Sequence, residues 1–228
     1  MKVTCIVAAG GKGRRLKARQ DKPFVMLGEK PLLSHTLRAL ENCNFIDSII
    51  VVVSRGKLKA CERLVKKYGF RKVRAVVGGG RRRFDSVKNG LREAQNADFV
   101  LIHDGARPFV SRDLVKRVFL AARKSGAALC ATPMKQTVKR AGENFFVSET
   151  PRRKFLWEAQ TPQGFKKDLI SKAYREAKDR GVTDDASLVE KLGHKVKIVK
   201  GSSGNIKITT PEDLELAKLL MKKPTRLT

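Results

Sequence analysis

The chain has 228 residues, of which 50 are Lys or Arg and 22 are Asp or Glu, so its formal net charge at pH 7 is +28. Because 41% of the residues are hydrophobic, the charge does not indicate the disordered class of proteins, which is poor in apolar residues. The basic excess favours an anionic partner, which could be nucleic acid, a membrane face or a phosphate compound; a generally basic, solvated surface is the alternative.

Five short apolar runs predict the strands of a central sheet. They are rich in aliphatic and β-branched residues and short enough for strands buried on both faces: residues 3–8, 49–53, 73–77, 99–103 and 127–131. Segments with helical periodicity lie between them, and this alternation favours right-handed crossovers and parallel pairing. The sequence therefore predicts an α/β fold with a doubly wound, mainly parallel sheet and helices on both faces.

Capping residues mark the ends of the predicted helices. The helix after the second strand ends at Gly69, a residue that readily takes the left-handed C-cap conformation. The next helix is expected to have Asp85 or Ser86 as its N-cap, and the one after it Ser111. These side chains can accept hydrogen bonds from the free N–H groups of a first helical turn.

The pattern changes beyond residue 135. A β-hairpin arm with its turn at Gly142 is predicted at about residues 135–153. No linker is long enough to separate domains, so residues 1–228 are expected to form a single domain. The remaining elements are helices near 167–180 and 184–192, strands at 195–200 and 205–208, and a last helix that Pro211 opens.

The cysteines and the N-terminus argue against several classes of protein. There is no CxxC pair, and no histidine accompanies a cysteine, so neither a zinc site nor a disulfide framework is expected. The first apolar run is too short for a signal peptide or a membrane span. We therefore expect a cytoplasmic protein without a membrane segment.

A glycine-rich loop that carries cations follows the first strand. It contains Lys12, Arg14 and Arg15, and Lys22 comes seven residues later. Glycines at the carboxyl end of a strand let backbone N–H groups approach phosphate oxygens. No P-loop motif is present, and Leu16 occupies the last position of the dinucleotide fingerprint. The loop favours a phosphate site of another kind; an ordinary turn with solvated cations is the alternative.

Two further strand ends carry candidate site residues. Glycines 78–80 follow the third strand and precede a helix, which suits an anion or a nucleobase, and three arginines at 81–83 come next. The fourth strand ends in HDGARP, which places Asp104 and Arg107 where they could contact a metal or a substrate. The alternatives are a solvated turn and a structural Asp–Arg ion pair. His103 is interpreted as a packing or orienting residue.

Seven segments in order resemble the 2-C-methyl-D-erythritol 4-phosphate cytidylyltransferases, the CTP-dependent enzymes of the non-mevalonate isoprenoid pathway. The resemblance implies a Rossmann-like nucleotidyltransferase fold and transfer of a cytidylyl group from CTP to methylerythritol phosphate, with release of pyrophosphate. The segments are AAG through GRR at 8–15 followed by Lys22, GG through DSV at 79–87, HDGARP at 103–108, TVKR at 137–140, LW with QTPQ at 156–163, TDDAS at 183–187, and NIK leading into PEDL at 205–214.

The resemblance also implies roles for individual residues. Arg15 and Lys22 would stabilise the pentacoordinate α-phosphate, and Lys207 would be a third cation shared by the reacting phosphates. Such cations suit nucleotidyl transfer, in which charge accumulates on phosphate oxygens. The residues implied in CTP binding are Ala8, Ala9, Gly10, Gly80 and Ser86. Those implied in acceptor binding are Asp104, Arg107, Thr137, Arg153, Thr161 and Thr183.

The resemblance further implies a homodimer and a metal. Residues 135–153 correspond to the dimer arm of the family, so Arg153 would serve the active site of the partner subunit. Mg²⁺ would be held largely by triphosphate oxygens, which suits a cation that keeps its waters.

Two segments depart from the family pattern. Asp21-Lys22-Pro23 stands where relatives usually have Pro-Lys-Gln, which places a carboxylate beside the lysine, and the arginines at 81–83 replace a partly acidic segment. The nearest alternative function is a cytidylyltransferase for ribitol phosphate or another polyol phosphate. The alternative from another class is a basic nucleic-acid-binding module, for which nonspecific, salt-sensitive binding is expected.

Overall fold

A seven-stranded sheet lies at the centre of the computed structural model, which describes residues 1–16, 20–177 and 182–222. Two short hairpins accompany this sheet. The strands in chain order are β1 (Val3–Ala8), β2 (Met26–Leu27), β3 (Lys30–Pro31), β4 (Ser48–Val53), β5 (Val73–Gly78), β6 (Phe99–Asp104), β7 (Ala127–Pro133), β8 (Arg140–Ala141), β9 (Val147–Glu149), β10 (Trp157–Lys166) and β11 (Lys197–Lys200).

Helices cover both faces of the sheet. In chain order they are α1 (Leu32–Glu41), α2 (Leu58–Tyr68), α3 (Arg83–Glu93), α4 (Arg112–Ser125), α5 (Lys167–Glu176), α6 (Ala186–Lys191) and α7 (Pro211–Lys222). Alternate residues of β1 enter different cores, because successive side chains of a strand point to opposite faces. Cys5 and Val7 pack with α1, α2 and α4, whereas Ile6 packs with α3, α5 and α6. The predicted doubly wound α/β fold is confirmed.

The strand order across the sheet is β11-β7-β10-β6-β1-β4-β5. All neighbouring pairs are parallel except those of β10, which runs antiparallel to both β6 and β7. β10 has no counterpart among the strands predicted from the sequence. Its sequence contains Pro162 and Gly164, which are disfavoured in strands, and a register shift lies between Ala159 and Gln163. A Cβ on Gly164 would lie 3.1 Å from Ala122 Cβ, so this glycine lets α4 pack closely on the strand.

Two predicted boundaries agree with the structure, and one does not. Gly69 has a φ of 65°, and Ser111 Oγ accepts a hydrogen bond from Leu114 N–H at 3.1 Å, as expected for their caps. The N-cap prediction for α3 is wrong: the helix begins at Arg83, and Asp85 lies within its first turn, where it accepts a bond from the N–H of Arg82 at 3.2 Å.

Residues 205–208 do not form the predicted strand. The side chain of Asn205 bonds to β10 instead, and Ile208 N–H donates to Ala106 O at 2.9 Å. The segment therefore crosses the ends of the strands rather than extending the sheet. The predicted arm is confirmed as a hairpin, since β8 pairs with β9 around a turn at Gly142. Residues 178–180 of the predicted helix at 167–180 lie outside the described residues.

The four cysteines are buried and free. Burial raises the pKa of Cys61 and of Cys130 to about 12, so both are unreactive thiols at neutral pH. Within the described part of the chain, no group of His, Cys, Asp and Glu side chains could by itself hold a metal ion. None of the helices in the same ranges combines the length and the hydropathy that a membrane span requires.

Candidate active site

A cleft of about 1180 Å³ opens at the carboxyl ends of β1, β4, β5 and β6. Its walls are the loops that follow these strands, together with the segment around Lys207. Crevices at this edge are where open α/β sheets bind their ligands. All five residues implied in CTP binding lie in the wall: Ala8, Ala9, Gly10, Gly80 and Ser86.

The cleft is strongly cationic. Its described lining has one acidic side chain, Asp104, against eight basic ones: Lys12, Arg15, Lys22, Arg55, Arg81, Arg82, Arg83 and Lys207. Low-dielectric walls with charges of one sign concentrate ligands of the opposite sign. The lining therefore suits a ligand with several negative charges, such as a triphosphate.

Ser86 and the glycines before α3 form one wall of the cleft. Ser86 Oγ accepts a hydrogen bond from Gly80 N–H at 3.2 Å and donates one to Arg82 O at 3.1 Å. A Cβ on Gly79 would lie 2.7 Å from Ser86 Oγ and 3.3 Å from Val53 O. Only glycine therefore lets the loop after β5 pack against the serine that holds Gly80.

The resemblance implies that this wall binds CTP, and on that basis Gly79→Ala is expected to weaken CTP binding about tenfold, equivalent to about 1.4 kcal/mol, because the added methyl group displaces Ser86 and Gly80. Isothermal titration with CTP would measure the change. Gly56→Ala is the matched control, since a Cβ at Gly56 has no atom within 4 Å and this residue does not line the cleft. Equal CTP affinity in the two variants would contradict the role given to this wall.

Arg15, Lys22 and Lys207, the three predicted catalytic cations, all line the cleft. Gly13 has a φ of 67°, and a Cβ there would lie 2.9 Å from Lys22 Cβ, so the glycine-rich loop packs directly on Lys22. Burial, followed by the charge of Lys207, lowers the pKa of Lys22 to about 8, with Arg15 adding to the effect. The three neighbouring cations repel one another, and a bound anion would offset this repulsion.

Asp104 holds the cation cluster together. Its Oδ2 lies 2.8 Å from Lys207 Nζ and 3.5 Å from Arg107 Nε, and its Oδ1 lies 3.6 Å from Arg83 Nε. Burial opposes ionisation of this carboxyl, but Lys207, Arg83 and Arg107 outweigh it and hold its pKa far below the ordinary value. Asp104 is therefore charged throughout the neutral range.

The backbone on both sides of Lys207 is fixed by side chains. Asn205 Nδ2 donates to Thr161 O at 2.9 Å, and Arg107 Nη1 donates to Asn205 O at 2.7 Å. On the other side, Asp213 Oδ2 accepts bonds from the N–H groups of residues 209 and 210 at 2.8 and 2.9 Å. Lys207 thus projects into the cleft from a segment that is anchored at each end.

The residues implied in acceptor binding are not brought together in one chain. Asp104 lines the cleft, whereas Arg107 and Thr161 are buried beneath it. Thr137, Arg153 and Thr183 are exposed and do not line it. Arg153 Nη1 donates to Lys135 O at 2.7 Å within the arm.

Arg83 is a site residue that the sequence analysis did not single out. It lines the cleft and makes two hydrogen bonds to Asp185, at 2.8 and 2.6 Å. Asp185 is fully buried and also accepts a bond from Tyr174 Oη at 2.6 Å. The partners are 102 residues apart, so the run of three arginines gave no signal that one of them is paired and the other two exposed.

Comparisons with known proteins agree with this geometry. The family model described as "IspD: 2-C-methyl-D-erythritol 4-phosphate cytidylyltransferase" matches residues 3–223. The chain is 46% identical over 226 residues to the 2-C-methyl-D-erythritol 4-phosphate cytidylyltransferase of Alkaliphilus metalliredigens (strain QYMF), a match that covers 97% of this chain and 94% of the relative. It is 45% identical over 226 residues to the enzyme of the same name from Syntrophus aciditrophicus, with 97% of each covered.

Solved structures show the same similarity. The structure of 4-diphosphocytidyl-2C-methyl-D-erythritol synthase from Anaerococcus prevotii DSM 20548 has a TM-score of 0.86 and 34% identity, over 97% of this chain and 96% of that one. The structure of 2-C-methyl-D-erythritol 4-phosphate cytidylyltransferase from Thermus thermophilus has a TM-score of 0.79 and 34% identity, over 98% of this chain and 100% of that one.

Proposed function

The chain belongs to the 2-C-methyl-D-erythritol 4-phosphate cytidylyltransferase family and catalyses transfer of a cytidylyl group from CTP to methylerythritol phosphate in isoprenoid biosynthesis, and we propose that it does so in the cleft described above. The observation that carries this placement is the convergence of Arg15, Lys22 and Lys207 on one cleft.

The proposed reaction is an in-line displacement at the α-phosphorus of CTP. A phosphate oxygen of the acceptor forms a bond to that phosphorus, and the bond to the bridging oxygen breaks as pyrophosphate leaves. The nucleophile is already an anion, so no strong general base is required. The protein contributes position and positive charge where the phosphate oxygens gain negative charge.

Each wall of the cleft has a proposed task. The loop at residues 8–10 and the Gly80–Ser86 wall hold CTP, while Arg15 and Lys22 stabilise the α-phosphate. Lys207 contacts both reacting phosphates, and Asp104 accepts a hydrogen bond from an acceptor hydroxyl while it holds Lys207 at 2.8 Å.

We also propose Mg²⁺ as the cofactor, held by the nucleotide and water. Asp104 is the single carboxylate in the described lining, and Lys207, Arg107 and Arg83 already surround it. The donor set thus suits a metal ligated by triphosphate oxygens rather than a protein cage, as Mg²⁺ favours. When bound, the ion would neutralise charge on those oxygens.

A homodimer through the arm is proposed as the active species. Thr137 and Arg153 of the arm lie outside the cleft of their own chain, so they could complete the acceptor site of the partner subunit. The arm and the segment just after it expose large apolar side chains, which marks an interaction surface in a chain this rich in charge. These are Phe145, Phe146, Val147, Phe155 and Trp157, at 92%, 76%, 58%, 67% and 38% exposure.

Phe146→Asp combined with Phe155→Asp is expected to convert the dimer to a monomer, because two carboxylates would replace apolar contacts. Light scattering after size-exclusion chromatography would report a fall from twice 25.4 kDa to 25.4 kDa. Leu219→Asp, at a 59% exposed position on α7, is the control and should leave the mass unchanged. A double variant that stays dimeric would contradict an interface formed by the arm and the segment that follows it.

The cytoplasm is the proposed compartment. All four cysteines are buried, free thiols, which is typical of proteins in a reducing compartment.

Pyrophosphate release with CTP tests the acceptor and the site together. We expect turnover with methylerythritol phosphate and little with ribitol phosphate. ATP and GTP in place of CTP test the nucleobase preference of the Gly80–Ser86 wall. Inactivity with methylerythritol phosphate would contradict the function, whereas activity that survives loss of both Lys22 and Lys207 would contradict only its placement in this cleft.

A further inference from the structure

His103 lies beneath the floor of the cleft and is not exposed to solvent. It is the penultimate residue of β6, it is fully buried, and it does not line the cleft. A buried histidine that cannot reach substrate has no direct part in the transfer. One of its ring nitrogens nevertheless bonds to the turn that carries Asp104, and the other bonds to Thr161 of β10, which itself bonds to the backbone of Asp104.

The hydrogen-bond partners define the proton positions of the ring. His103 Nε2 lies 3.1 Å from Arg107 O, and a carbonyl oxygen only accepts, so Nε2 carries the proton. In the neutral ring, Nδ1 then accepts, and its partner at 3.0 Å is the hydroxyl of Thr161. Burial lowers the pKa of His103 to about 4, which keeps the ring in this neutral form.

Thr161 extends this arrangement to the backbone of Asp104. Its Oγ1 accepts a hydrogen bond from Asp104 N–H at 3.0 Å while its own proton goes to His103. The bonds therefore run in one direction, from Asp104 N–H through Thr161 to His103 and on to Arg107 O. Together with the backbone of residues 103–107, these hydrogen bonds form a closed ring. The hydroxyl proton of Thr161 is donated within this ring.

We infer that His103 is a positioning residue for cytidylyl transfer, because it fixes both groups that place Lys207. One group is Asp104, whose backbone N–H donates to Thr161 and whose carboxylate lies 2.8 Å from Lys207 Nζ. The other is Arg107, whose Nη1 holds Asn205 O at 2.7 Å, two residues before the lysine. This inference rests on the proposed catalytic role of Lys207. It also makes Thr161 a positioning residue.

His103→Phe keeps a ring and removes both hydrogen bonds. We expect kcat, counted per CTP-binding site, to fall about 10- to 100-fold, the loss that displacement of a catalytic group by about 1 Å can produce. The KM for CTP should change by less than about threefold, because the ring touches neither wall that holds the nucleotide. Ile102→Val, on the same strand, is the control that perturbs the core and should leave kcat unchanged.

Variants of Thr161 distinguish a positioning role of His103 from a merely structural one. Thr161→Val removes the hydroxyl and should lower kcat as His103→Phe does, and Thr161→Ser should recover at least about tenfold of that loss. The double variant should be no worse than the worse single variant, since both break one chain of bonds. If His103→Phe does not fold, His103→Asn, which keeps an amide near Nδ1, takes its place with a smaller expected loss.

Wild-type kcat in the His103 variant, additive effects in the double variant, or a serine no better than valine would each overturn the inference. Loss of cytidylyl transfer by the unaltered protein would instead overturn the proposed function. A Lys207→Ala variant that retains kcat would overturn the catalytic role of Lys207, on which the roles of His103 and Thr161 depend. The three failures are therefore distinguishable.

Discussion

Lys22→Ala is expected to lower kcat about 100-fold or more, the usual effect of removing one charged contact to a transition state. Lys22 lies in the cleft, and Gly13 packs on it so closely that its position is well defined. Its ammonium group, next to Lys207 and Arg15, has most to gain from the charge that develops on the α-phosphate. Steady-state turnover with saturating CTP and methylerythritol phosphate would measure the loss.

Lys30→Ala is the matched control, since Lys30 is an exposed lysine in β3 outside the cleft. It should turn over CTP at the wild-type rate. The charges that most influence the pKa of Lys22 are those of Lys207, Asp104, Arg15 and Asp213. The adjacent Asp21, a departure from the family pattern, is not among them. Unchanged turnover in Lys22→Ala would refute the assignment.

The pH dependence of kcat/KM for CTP follows from the lowered pKa of Lys22. In the free enzyme this pKa is about 8, below its ordinary 10.5, so the required ammonium form is lost as pH rises above about 8. We expect kcat/KM to fall about tenfold per pH unit there, because this ratio reports groups of the free enzyme. Bound CTP stabilises the charged form, so kcat itself should fall only at higher pH.

Lys22→Arg separates this titration from other effects. Arginine stays protonated to far higher pH, so the alkaline limb should disappear even if the variant is slower. A wild-type profile that is flat from about pH 7 to about pH 9.5 would show that Lys22 does not titrate in this range.

The strands that could be predicted are those whose sequence matches their burial. β1, β4 and β6 each contain a run of apolar residues, because both of their faces are covered. β10 is central in the sheet, yet it carries Gln160, Thr161 and Gln163, whose side chains bond to neighbouring segments. Polar residues that are satisfied only by distant parts of the fold give no local signal of a buried strand.

The site also contains some features that local sequence predicts and others that depend on contacts between distant residues. The loop that follows β1 and the wall at Gly80 were predictable because a strand, a glycine-rich turn and a helix follow one another in the chain. The Arg83–Asp185 pair and the Thr161–His103 bond join residues 102 and 58 positions apart. Such pairs depend on which strands become neighbours, and the position of the unpredicted β10 decides the second of them.

Asp104→Asn is expected to reduce both stability and activity, since it removes the carboxylate at the centre of the cation cluster. Arg107, only 8% exposed, would lose its nearest negative charge, and breaking a buried ion pair in this way costs about 3 kcal/mol. Lys207 would lose its 2.8 Å partner, so kcat should fall about 100-fold as well. Urea unfolding at pH 7 and steady-state turnover would measure the two effects.

The difference in stability between wild type and Asp104→Asn should depend on pH in one direction. The pKa of Asp104 in the folded protein lies below its ordinary 3.8, so its contribution is fully present above about pH 4 and is lost as pH falls further. Asp113→Asn removes a 74% exposed carboxylate that pairs with Arg117 and should cost less than about 1 kcal/mol. An Asp104 variant no less stable than this control at pH 7 would mean that the cluster does not need its carboxylate, and Lys207 would then require another anchor.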